Sequence, residues 1–125
     1  MEHVLSLVAA LSLAACASIP SRAVSVPTDG TASVGQSTRA GTMILTPQTV
    51  VEDSRCPVNA RCVWAGRLIL RTRIDGSGWR ETADLTLGEP YSTHGRTITL
   101  VSAEPGRMAG SPPAPPASRF GFEAR

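Results

Sequence analysis

RLILRTRIDGSGWRETADLTLG, residues 67 to 88, decides the fold. In its first half Leu68, Leu70, Thr72 and Ile74 fall on one parity, and Arg67, Ile69, Arg71 and Arg73 on the other. Successive side chains of a strand point to opposite faces of a sheet, so this spacing predicts a strand with one buried and one charged face. DGSG at 75 to 78 supplies turn residues. The second half resumes the alternation: Trp79, Ala83, Leu85 and Leu87 oppose Arg80, Thr82, Asp84 and Thr86. The stretch predicts a β-hairpin.

The same period extends outward. GRTITLVSAE (95 to 104) places Ile98 and Leu100 inward, and GTMILTPQTVVED (41 to 53) carries two short strand candidates with Pro47 at a bend or an edge. RFGFEA (119 to 124) puts Phe120 and Phe122, the chain's two phenylalanines, on one face, as a last strand closing the core would. The proline run at 112 to 116 favours an extended loop that delivers that strand. VGQSTRAG (34 to 41) and LGEPYSTHG (87 to 95) echo one another, each ending in a glycine before a strand-like run, which predicts two similar hairpin openings. The expected fold is all-β: a small antiparallel β-sandwich or partly open barrel.

A chain of 125 residues holds one domain of this kind. The net charge is +2, and its 12 basic residues are all arginine, spread along the chain. That gives no footprint for nucleic acid. No Ser-His-Asp order or paired-carboxylate motif stands out, so an enzyme is not expected.

VLSLVAALSLAAC, residues 4 to 16, is an apolar run ending in small residues and a cysteine. It is too short to span a bilayer and suits the apolar region of a secretory signal. The preceding MEH lacks the basic residue such signals carry. LAAC (13 to 16) resembles the lipobox of bacterial lipoproteins. The resemblance implies that residues 1 to 15 are removed and that Cys16, acylated with palmitate-like chains, anchors the protein in a membrane. More than one acyl chain gives stable anchoring. Alanine rather than aspartate at position 17 resembles default outer-membrane sorting, so a Gram-negative host would carry the protein on the periplasmic face of its outer membrane. Residues 16 to 31, small and polar with two prolines, read as a flexible tether to a single domain at 32 to 125.

EDSRCPVNARCVWAG, residues 52 to 66, contains the two remaining cysteines, Cys56 and Cys62. Exported cysteines pair, and two allow one bridge. Zinc needs four ligands and usually a CxxC spacing; a redox pair wants CxxC at a helix start. Neither spacing is present, so a structural disulfide is expected, with no cofactor and no metal. The alternative is a small envelope metal-binding or redox protein using Cys56 and Cys62 with His94, or a metal carrier using His94, Met43, Met108 and carboxylates.

DSRCP followed by CVWAG, with LTLGEP and ITLVSAEPGR…PPAP downstream, resembles a family of small bacterial exported proteins and lipoproteins over roughly residues 32 to 124. The resemblance implies a fold and an address in the cell envelope, and no activity. Within the motif, Asp53, Arg55 and Trp64 form the candidate binding face, for an envelope protein partner. Asp53 and Arg55, two apart on a strand, can also pair with each other or cap the turn. Trp64 reads as a lid packed on the core beside the bridge, with an exposed partner anchor as its second reading.

Overall fold

The computed structural model describes Cys16, residues 25 to 110 and residues 118 to 125. Eight strands and no helix occur among them: β1 Thr31–Ala32, β2 Thr38–Ala40, β3 Met43–Asp53, β4 Leu68–Gly76, β5 Trp79–Thr86, β6 Pro90–Thr93, β7 Arg96–Glu104 and β8 Arg119–Ala124. They form two antiparallel four-stranded sheets, ordered β1-β8-β7-β6 and β2-β3-β4-β5. The sheets are not joined into a barrel, so the sandwich is the form taken. The signal segment 1 to 15, the proline run 112 to 116 and residues 17 to 24 of the tether lie outside the described residues.

Alternation accounts for the core. Leu68, Leu70, Thr72 and Ile74 are buried on β4, with Met43 and Leu45 on β3, Leu85 on β5, Ile98 and Leu100 on β7, and Phe120 and Phe122 on β8. Arg71 and Arg73 stay on the outer face of β4, paired with Asp84 and Asp75. The hairpin runs in the expected register, Leu70 opposite Leu85 and Gly76 opposite Trp79. Trp79 lies on the bare α-carbon of Gly76, where a built Cβ would collide with the indole ring. A glycine in a strand lacks side-chain packing, and the cross-strand aromatic supplies it.

The segment 41 to 53 departs from expectation. It is one continuous strand, with Pro47 inside it rather than between two strands. Irregularities between Pro47 and Thr49, and between Val50 and Glu52, take up the shift in register. β2 pairs only with Met43 to Leu45, so Pro47 lies past the end of its ladder and its missing N–H forfeits no bond there.

The sequence echo corresponds to a structural repeat. Gly35 N donates to Pro47 O and Gly88 N to Leu100 O, each at 2.8 Å. Each glycine precedes a short edge strand, β2 or β6, that turns back into a long one, β3 or β7. The two sheets also share one order: β2-β3-β4-β5 corresponds to β6-β7-β8-β1. The turns at 41 to 42, 77 to 78 and 94 to 95 gather at one end, where Gly41 packs on Ala124 and His94 on Trp79. The long β3–β4 and β7–β8 connections leave the opposite end.

Residues expected to be tether are partly held by the domain. Thr31 begins β1, and Pro27 O accepts the β2 amide of Arg39 at 2.8 Å.

Candidate functional site

The β3–β4 connection is built from its root upward. Ser54 N donates to Arg67 O at 2.8 Å, and Cys56 N to Ala65 O at 3.1 Å, so the hairpin ladder continues beyond the strands. Gly66, at φ 66°, faces the Ser54 and Arg55 backbone so closely that no Cβ fits. Cys56 and Cys62 are bonded, with their α-carbons 5.8 Å apart, and Ala60 N donates to Pro57 O in a turn between them. The expected disulfide is present.

Asp53 and Arg55 meet in a two-pronged ion pair, Nε–Oδ1 2.8 Å and Nη2–Oδ2 2.9 Å. The side chain of Asp53 is 0% exposed and that of Arg55 15%. Arg55 Nη1 donates to Ala103 O on β7, tying the loop root to the opposite sheet. These two residues therefore face inward and join the sheets, whereas Trp64 faces outward.

Trp64 is 83% exposed, which corrects its reading as a core lid. At the loop root Leu68, Ala103 and the Asp53 side chain are buried, whereas residues 59 to 67 are exposed. Val58 is 71% exposed and Val63 92% exposed on the same loop. The β7–β8 connection supports it: Val58 N donates to Arg107 O at 2.8 Å, Arg107 Nη1 donates to Arg55 O at 3.1 Å, and Ala109 N donates to Asn59 Oδ1 at 2.9 Å. Met108, 43% exposed, lies on this supporting segment. Sequence reading did not single out Val58 and Val63. No local signal marks them, because a loop without strand alternation has no period to assign a face.

His94 lies at the other end of the sandwich. It occupies the β6–β7 turn at φ 47°, followed by Gly95 at φ 71°. Two successive positive φ values are what a tight two-residue hairpin turn requires. Its ring stacks on Trp79, with centroids 3.8 Å apart, and its Nδ1 is 2.9 Å from Thr93 Oγ1. Tyr91, nearby on β6, has its hydroxyl pKa raised by burial and then by the Glu81 carboxylate. Met43 is in the core. The structure thus separates His94 and Met43 from the cysteines rather than bringing them together. No group of three or more His, Cys, Asp or Glu suited to a metal occurs among the described residues. Cys16 is exposed and takes no part in the disulfide.

No protein-family model, curated protein or solved structure matches the chain.

Proposed function

We propose that this is a lipid-anchored protein of the bacterial cell envelope, whose small β domain is a non-enzymatic contact module. Cys16 is the acylated residue, residues 1 to 15 are the cleaved signal, and the disulfide-closed loop is the contact surface. One observation carries the contact role: Val58, Val63 and Trp64 are held in water on a loop fixed by a covalent bridge and three hydrogen bonds. Isolated exposed apolar residues are ordinary, but an exposed tryptophan on a preorganised loop is what binding surfaces use. The lipobox resemblance of LAAC supports the anchor, and the Cys56–Cys62 disulfide accords with an oxidising compartment.

Two arms test this in living cells. Metabolic labelling with a clickable fatty acid is expected to mark the wild type and not Cys16→Ser; undiminished label in the variant removes Cys16 from the anchor. A photo-crosslinking residue at position 64 is expected to give adducts that the same residue at Thr82, on an outer sheet face, does not. Absence of adducts at 64 would defeat the contact role.

A further inference from the structure

We infer that the stapled loop docks into the surface of the membrane that holds the anchor, with Trp64 and Val63 at the lipid headgroup level. The inference rests on the anchored reading of Cys16 and names the partner of the proposed contact surface. Pro27 is bonded to β2, and Ser25 lies in a cleft with Gly35, Gln36, Ser37 and Arg119. Arg119 opposes Glu104 in register, at the root of the β7–β8 connection. Ser25 is thus on the side of the domain from which the two long loops leave, not the tight-turn end. From Cys16 to Ser25 there are only nine residues, a reach of at most ~30 Å even when fully extended. An anchor at Cys16 therefore keeps the loop end within a short distance of the lipid surface.

Residues 57 to 66 and 105 to 110 contain no carboxylate and two basic residues, Arg61 and Arg107. Tryptophan concentrates at membrane–water interfaces because its ring is amphipathic, and basic residues there are drawn to anionic headgroups. Val58, Val63 and Met108 add apolar surface beside it. One loop of this size would bind lipid weakly on its own. Tethering makes the contact intramolecular, so its effective concentration is set by the linker rather than by the solution. A protein groove would also accept Trp64; a tether that enters the domain on its loop side favours the bilayer.

The test uses the full-length protein, purified from membranes and reconstituted into phosphatidylethanolamine/phosphatidylglycerol vesicles whose acyl chains are brominated near the headgroup. Flotation reports the anchor. Tryptophan emission reports the loop, because the chain has only Trp64 and Trp79, and Trp64→Phe leaves Trp79 alone without touching the core. The wild type is expected to float and to lose the Trp64 share of its emission, relative to unbrominated vesicles. Trp64→Phe is expected to float equally and to lose little. A protein that does not float overturns the anchor and the docking with it. A protein that floats while quenching is the same in wild type and Trp64→Phe overturns the docking alone. A discrete protein adduct, and no lipid adduct, from a photo-crosslinking residue at position 63 would also overturn it and reassign the loop to a protein partner.

Discussion

Arg55 spans two sheets: it grips Asp53 with two nitrogens and reaches the Ala103 carbonyl, 48 residues away, with a third. A buried carboxylate stripped of a two-pronged partner keeps its charge in a poor solvent with less to offset it. Arg55→Ala should therefore destabilise the domain by about 3 to 5 kcal/mol. Arg55→Lys should recover little, since an ammonium group cannot form the planar fork. Chemical denaturation of the three proteins checks both statements. A loss for Arg55→Ala of the size seen at exposed arginines would show that the pair is dispensable.

Leu70 and Arg71 are neighbours in sequence on opposite faces of β4. Leu70→Ala should lose about 2 to 5 kcal/mol, as a truncated core leucine does. Arg71→Ala, which breaks an exposed pair with Asp84, should lose under about 1 kcal/mol. Equal losses would contradict the assignment of faces.

Replacing both Cys56 and Cys62 by serine should lower stability by roughly 2 kcal/mol, the loop-closure value for so short a ring. The native pair should resist alkylation until a reductant is added. The double variant should also lose contrast between position 64 and position 82 in crosslinking, because the bridge holds the tryptophan in its place. Unchanged contrast would mean that the hydrogen bonds to Arg107 and Asn59 suffice.

Gly66→Ala adds a methyl group against the Ser54 carbonyl and forces a side chain onto φ 66°. The expected result is a lower melting temperature with the disulfide still formed, since the strain falls on the ladder rung next to the bridge. Gly95→Ala, also at positive φ but with open space around its Cβ position, should be milder. The difference between the two isolates the close approach from the backbone conformation.

Burial pushes the Asp75 carboxyl upward, but the hydrogen bond from Arg80 and the charges of Arg73 and Arg80 outweigh it and hold the pKa below 3.8. A carboxyl depressed in the folded state stabilises fully above its unfolded pKa, and that contribution disappears as pH falls through the folded value. The gap in melting temperature between wild type and Asp75→Asn should therefore close as pH is lowered from about 5 to about 2. A gap that stays constant over that range would show that Asp75 acts through shape rather than charge.

The sandwich was legible because strands announce their faces in every second residue. β4, β5, β7 and β8 could be oriented from Leu68, Leu85, Leu100 and Phe120 without any knowledge of their partners. β3 was not, because its irregularities near Pro47 and Val50 reset the alternation. The disulfide was legible from cysteine arithmetic and from the export that the LAAC resemblance implies. Trp64 was misplaced for a different reason: a loop has no period, so nothing local states whether its ring turns inward or outward. The inward turn of Asp53 and Arg55 was equally hidden, since the Ala103 carbonyl that Arg55 reaches belongs to the other sheet.

The repeat that equates β2-β3-β4-β5 with β6-β7-β8-β1 also gives the molecule a grain. Corresponding strands run the same way, so the two long connections emerge side by side and the tight turns close the far end. Beyond the root held by Arg55 and Gly66, changes in loop length or residue type at the open end leave the register of every strand untouched, whereas the tight turns depend on glycines at positive φ. Surface chemistry at the loop end can therefore drift between related chains while the scaffold stays fixed. A comparison of such chains should find variation in length concentrated in the segments corresponding to 54–67 and 105–118, with the positions of Gly41, Gly78 and Gly95 held.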